Sequence, residues 1–216
     1  GGCNNCVTAN CAAVGGGGSN EAAAATSVVA GGYSNCVTGA CGSILGGSDN
    51  LASGACATAV GGCGGRAVGK YSTVVGGQSG QAIGDVSFVG GGYCNVASGL
   101  SSFAGGGFYN IASGDASTIV GGCRHTASGE FSFVGGGRCN LSSGLSSFIG
   151  GGAVNCATNV GTAVVGGTDN KATGTCSIVG GGCSNSATGD GSVIAGGCSN
   201  SAGGCGSFTY VVLTQL

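Results

Sequence analysis

The chain has 216 residues, with 54 Gly, 15 Cys and no Pro, Met or Trp. Collagen needs Gly at every third residue and abundant Pro, and disorder needs low hydrophobicity with high charge; a chain 42% hydrophobic and 6% charged is neither. The net charge of -2, with Arg66, Lys70, Arg124, Arg138 and Lys171 scattered, gives no electrostatic footprint for nucleic acid, and no apolar run approaches the roughly 18–20 residues of a membrane span.

A Gly-Gly pair recurs every fifteen residues, from Gly1-Gly2 through Gly16, Gly31 and Gly46 to Gly181 and Gly196, each followed by a second Gly. Fourteen such repeats fill residues 1–210. A fixed period of this size marks one supersecondary unit stacked on copies of itself. Residue 1 already sits in repeat phase, without an initiator Met or a signal peptide, which reads as a processed or partial product.

Within each repeat, numbered 1 to 15 from its Gly pair, the elements follow in order. The repeats at 91–105 and 136–150 read GGYCNVASGLSSFAG and GGRCNLSSGLSSFIG. The Gly pair ends a strand and opens a turn. Position 5 is mostly Asn (Asn35, Asn95, Asn110, Asn140, Asn185), otherwise Gly65, Gly80 or His125. These types tolerate positive φ, so this position reads as a left-handed turn residue. A first strand is expected around positions 5–8, a second turn after the Gly at position 9, and a second strand around positions 12–15. Fifteen residues suit one solenoid coil with two short strands and two tight turns.

Strand alternation assigns the faces. Position 14 is apolar (Val29, Ile44, Val89, Val134, Ile194) and position 7 is mostly Ala (Ala52, Ala97, Ala112), which together with Ser at position 12 make a thin core. Position 13 belongs to the opposite face, yet carries Phe88, Phe103, Phe133, Phe148 and Phe208. A strand apolar on both faces is normally covered on both, and burying one Phe contributes on the order of 1.5–3 kcal/mol. These five positions are therefore expected to form a self-association face, in a homo-oligomer sealed along position 13. The expected fold is all-β: a parallel β-solenoid (β-roll) of about 14 coils over residues 1–210, followed by a tail or capping and junction strand at 211–216.

The run Ser102, Phe103, Ala104, Gly105, Gly106, followed by Ala112 and Gly114, resembles the YadA-like head repeats of trimeric autotransporter adhesins, whose unit is S-V-A-I-G-x-x-A-x-A-x-G-x-x. The second Gly of each pair is the extra residue relative to that fourteen-residue unit. The resemblance implies a left-handed parallel β-roll, three chains packed side by side, and adhesion at a cell surface.

Fifteen Cys argue against a reducing compartment. Residues stacked one coil apart have Cα atoms roughly 4.8 Å apart, inside the disulfide range of about 4.4–6.8 Å. Cys41 with Cys56, and Cys183 with Cys198, occupy one position in successive repeats and are the structural disulfide candidates; Cys123 and Cys139 are one position out of register. A zinc site wants two Cys/His half-sites at defined spacing, and Cys3-Asn4-Asn5-Cys6 with Cys11, or Cys123-Arg124-His125, offers one only. No metal and no cofactor are expected.

Catalytic chemistry is equally thin. His125 stands alone in the Asn column, and Glu21, Asp49, Asp85, Asp115, Glu130, Asp169 and Asp190 read as single turn carboxylates, without the pairing that acid–base work needs. Asn140-Leu141-Ser142 is a formal glycosylation sequon. The expected function is a non-catalytic extracellular or cell-surface fibre subunit. Its partners are copies of itself, as a trimer or an end-to-end filament, and a host-surface or matrix ligand, with no nucleic acid and no membrane span. A virion or phage fibre shaft fits the same features. An ice-binding solenoid is the alternative, from the Ser/Thr rank at position 8 (Thr38, Ser53, Ser98, Ser113, Thr173).

Overall fold

The computed structural model describes residues 1–209, all as strands, turns and bends, with no helix among them. The expected segment 211–216 lies outside the described residues. Each coil holds two two-residue strands, at positions 6–7 and 13–14, as in Gln81–Ala82 and Phe88–Val89. Position 3 adds a single-residue bridge to the next coil, such as Gln78 to Tyr93. The chain is a parallel β-solenoid of fifteen-residue coils, divided into two compact units at Ala112 and Ser113.

In the first unit the strands from Cys6–Val7 to Ile111–Ala112 form one parallel sheet, and those from Ala13–Val14 to Phe103–Ala104 form the other. In the second unit Thr126–Ala127 to Ser201–Ala202, and Thr118–Ile119 to Phe208–Thr209, do the same. Every pairing is in register at an offset of fifteen, for example Gln81 to Val96 and Thr73 to Phe88. The backbone polar groups are satisfied between coils. N–H groups at positions 3, 6, 8, 13 and 15 donate to carbonyls of the following coil, as Gln81 to Asn95 at 2.9 Å. Those at positions 4 and 11 donate to the preceding coil, as Cys94 to Gln78 at 2.9 Å.

The core is as thin as the pattern implies. Position 7 (Ala52, Ala97, Ala187), position 14 (Ile44, Ile119, Ile149, Ile194) and the Ser of position 12 are fully buried. Each buried Ile or Val contributes on the order of 1.5–3 kcal/mol.

The turns differ from expectation in one respect. Position 5 is not the left-handed residue: Asn20, Asn35, Asn95 and Asn185 have ordinary negative φ and are fully buried. Positive φ falls at position 4 (Ser34 at 52°, Asp49 at 57°, Val154 at 59°) and at position 11 (Cys41 at 58°, Phe131 at 55°). The second Gly of the pair is also left-handed, as Gly137 at 93°, and a Cβ there would overlap the carbonyl of Gly152. The first Gly is sterically open: a Cβ on Gly121 or Gly166 meets nothing within 4 Å. Position 9 closes a turn through an N–H bond from position 12, as Ser87 to Gly84 at 3.2 Å. At Gly84 a Cβ would overlap the carbonyl of Gly99, and position 9 is Gly in most coils, with Ala9, Ala24 and Asn159 as exceptions.

Buried Asn at position 5 is a structural ladder. Asn155 donates from Nδ2 to the carbonyls of Gly151 and Gly167, each at 2.9 Å, and its Oδ1 accepts the N–H of Asn170 at 2.9 Å. Asn35, Asn140, Asn170 and Asn185 repeat the pattern. One side chain thus ties the turn of its own coil to two backbone groups of the next from within, where water cannot substitute.

Candidate functional site

With positions 5, 7, 12 and 14 turned inward, the surface a partner can meet is built from positions 6 and 8 on one sheet, 13 and 15 on the other, and the turn positions between them. The twelve charged residues all lie at positions 3, 4, 6 or 10. None stands at 13 or 15, so the second sheet presents an uncharged outer face.

That face carries the predicted phenylalanines, but as pairs instead of one ladder. Phe88 is half-buried and Phe103 is 36% exposed, with rings stacked at 5.2 Å between centroids and 3° between planes. Phe133 and Phe148 repeat this in the second unit at 5.3 Å and 6°. Phe208 is 61% exposed and pairs in register with Val193. Bulk alternates across the two outward positions. Each stacked Phe has Gly at position 15 (Gly90, Gly105, Gly135, Gly150), and the ring edge of Phe88, Phe133 or Phe148 comes within 3.4 Å of where a Cβ on its own Gly would sit. Where position 13 is small, as at Ser43, Thr58, Thr73, Thr118 and Ala163, position 15 is Leu45, Val60, Val75, Val120 and Val165. Each of these coils therefore contributes one large apolar group to the face. The signal was present in the sequence, in the covariation of two positions across the repeats.

On the other sheet, position 8 does point outward, and its outward neighbour is position 6, since the Ala between them faces in. Position 6 mixes Glu21, Leu51, Arg66, Ile111 and Lys171, so no regular array of hydroxyls forms there. Glu21 lies on a strand and not in a turn; Asp169 and Lys171 approach at 3.8 Å, both half-exposed.

The structure brings each cysteine pair together as free thiols. Cys41 and Cys56 are hydrogen-bonded neighbours at position 11, and Thr26 Oγ1 donates to Cys41 Sγ at 3.1 Å. Partial desolvation, then the neighbouring Cys41, push the Cys56 thiol above its ordinary range. Cys183 and Cys198 are in register at position 3, and the hydrogen bond between them, followed by desolvation, raises the Cys183 thiol. Cys36 lies on a strand with Sγ 3.6 Å from Glu21 Oε2; burial and then that carboxylate raise it. Among the described residues no three His, Cys, Asp or Glu side chains converge.

His125 is fully buried and replaces Asn in the ladder: its Nδ1 accepts the N–H of Asn140 at 3.1 Å. Burial lowers its pKa from the ordinary 6.5, with the backbone near Gly137 acting the other way. Asn140 of the formal sequon is itself buried, and its amide donates to Gly136 and Gly152. The sequon is therefore a coincidence of the ladder. Sequence reading also missed the exposed cluster Tyr93, Phe108 and Tyr109 at the turn edge, where two successive coils replace small residues with rings.

No helix among the described residues is long and apolar enough to cross a membrane. Compared with protein-family models and with curated protein sequences, the chain matches none.

Proposed function

We propose that this β-solenoid is a non-catalytic structural and adhesive fibre subunit, acting outside the cell and associating with copies of itself through the face of positions 13 and 15. The observation that carries the reading is that face: uncharged, apolar in coil after coil, and carrying two stacked Phe pairs of which Phe103 and Phe148 remain exposed. Phe103, Ile178 and Val120 remain 36%, 40% and 52% exposed, and exposed apolar bands of this kind mark interaction surfaces. A second copy offers the one surface with the same coil spacing of about 4.8 Å, so contacts repeat along the stack and weak ones add. The resemblance to trimeric adhesin heads favours three chains. A host-surface or matrix ligand would then meet the turn edges left outside.

The test is solution mass by light scattering with negative-stain imaging, on the wild type and on Phe103→Thr/Phe148→Thr. Thr already occupies position 13 at Thr58, Thr73 and Thr118, so the coil tolerates it. The wild type is expected as a trimer or filament and the variant as smaller species with unchanged far-UV dichroism. A monomeric wild type overturns the reading.

A further inference from the structure

In a repeat scaffold, residues shared by all coils build the coil, and departures that cluster in space mark what the coil carries. Positions 3 and 4 hold small or polar residues in most coils, as Ser48 and Asp49 or Thr168 and Asp169. In the coils beginning at Gly91 and Gly106 they hold Tyr93, Phe108 and Tyr109 instead. The bridge between Tyr93 and Phe108 sets these two side by side in register, and the Tyr109 N–H donates to the Tyr93 carbonyl at 2.9 Å.

The three rings form a corner. Tyr93 and Tyr109 have centroids 5.3 Å apart and planes at 76°, and their side chains are hydrogen-bonded. Phe108 is 57% and Tyr109 48% exposed. Tyr109 holds φ of 56°, as position 4 does throughout the stack, so the coil backbone itself fixes where the ring projects. Gln78, in register beside Tyr93, adds an amide that can both donate and accept, and no charged residue stands at positions 3 or 4 of the three coils from Gly76 to Gly106.

We infer that this corner is a binding site for a neutral carbohydrate, taking one all-equatorial pyranose ring. Such a ring presents an apolar C–H face to an aromatic floor and equatorial hydroxyls to the Tyr hydroxyls and the Gln78 amide. Tyrosine supplies rigid, amphipathic contact area at low entropic cost. A ring about as wide as one coil spacing of about 4.8 Å fits the corner, and the four side chains that build it (Gln78, Tyr93, Phe108 and Tyr109) are neutral, which suits a neutral ligand. The site is open, so the single-site Kd is expected at about the millimolar level, equivalent to about -4 kcal/mol. Amplification of that affinity by several linked copies rests on the self-association proposed above; binding of one soluble sugar does not.

The experiment titrates the full chain with cellotetraose and with chitotetraose, following tyrosine fluorescence, which is unobscured because the chain has no Trp, and upfield shifts of the sugar ring protons. The wild type should give a saturable response to at least one sugar. Tyr93→Ser/Phe108→Thr/Tyr109→Ser should lose about tenfold or more in affinity with unchanged far-UV dichroism. Tyr109→Ser alone, a residue that several coils carry at that position, should lose part of it and guards against misfolding of the triple variant. Absence of a saturable response in the wild type to either sugar, or equal binding by the variants, overturns the inference. It is also overturned if the variants lower the solution mass while neither they nor the wild type respond to sugar, since the rings would then be a contact between chains.

Discussion

Replacing Asn155 with Ala removes a side chain whose three hydrogen bonds are all internal to the coil stack. The consequences are unequal. Gly167 keeps a second bond, from the Ala153 N–H at 2.9 Å, and loses one of two. Asn170 N–H has Asn155 Oδ1 as its acceptor and is left buried without one. An orphaned buried donor costs about 1–3 kcal/mol and each of the two further lost bonds about 0.5–1.5 kcal/mol, so the total is about 2–6 kcal/mol. Asn155→His should cost less, because His125 accepts the N–H of the next coil through Nδ1 at the equivalent place. Repeat arrays need not unfold in one step, so native-state hydrogen exchange is the sharper assay. The Asn170 amide should exchange about 5–150-fold faster in Asn155→Ala, while amides four or more coils away change little. Unchanged protection at Asn170, or equal loss for Ala and His, would refute the ladder argument.

Other substitutions test the remaining joints. Gly137→Ala should prevent the second unit from folding normally, because Gly137 is left-handed and its Cβ would overlap the Gly152 carbonyl; Gly136→Ala, whose Cβ comes no closer than 4.0 Å to the Gly121 carbonyl, should be nearly neutral by thermal melting. His125 has a lowered folded-state pKa, so the unfolded chain binds the proton more readily. Its contribution is complete above the unfolded value of 6.5 and is lost as pH falls below it, and His125→Asn should flatten melting temperature against pH in that window. Removing Cys198 deletes the hydrogen bond that holds the Cys183 proton, so alkylation of Cys183 should quicken in Cys198→Ser; an unchanged rate would count against contact between the two thiols.

The inward pattern was legible because period two on a strand leaves no freedom: Val134 has to face in if Phe133 faces out, and Ala127 if Thr126 does. The turn assignment was not, for a physical reason. Asn, Gly and His are the residues that tolerate positive φ, and Asn and His are also residues that can accept an amide proton inside a coil. Their recurrence at position 5 supports either reading, and only the burial of Asn20 and Asn185 decides. Left-handed positions 4 and 11 also admit bulky and β-branched residues, since Val86, Tyr71, Phe131 and Val154 occupy them. There the backbone is held by bonds to neighbouring coils, as Phe131 N–H to Asp115 at 2.9 Å, and stacking overrides local propensity. The aromatic corner was hidden differently: Tyr93 and Tyr109 sit at different repeat positions, so no column of the alignment reveals them as neighbours.

Position 12 offers the strictest test of the interior, because one substitution should change sign between adjacent coils. Ser132 Oγ is buried and has no hydrogen-bond partner among the described residues, and Ala57 fills the same position, fully buried, in another coil. Burying an unpartnered hydroxyl costs about 1–3 kcal/mol in mutational data, so Ser132→Ala should stabilise by about 1 kcal/mol after the small loss of packing. Ser147, one coil on, has its Oγ 2.7 Å from Ser142 Oγ across the interior. Ser142 takes the place that Ala holds in most coils, so Ser147→Ala leaves a second buried hydroxyl alone and should destabilise by about 1–3 kcal/mol. Replacing both, as Ser142→Ala/Ser147→Ala, removes the pair together and should recover most of that loss. Denaturation midpoints of the four proteins measure this directly. If Ser132→Ala and Ser147→Ala move stability in the same direction, the hydroxyls are not what sets the energy at position 12, and packing volume is.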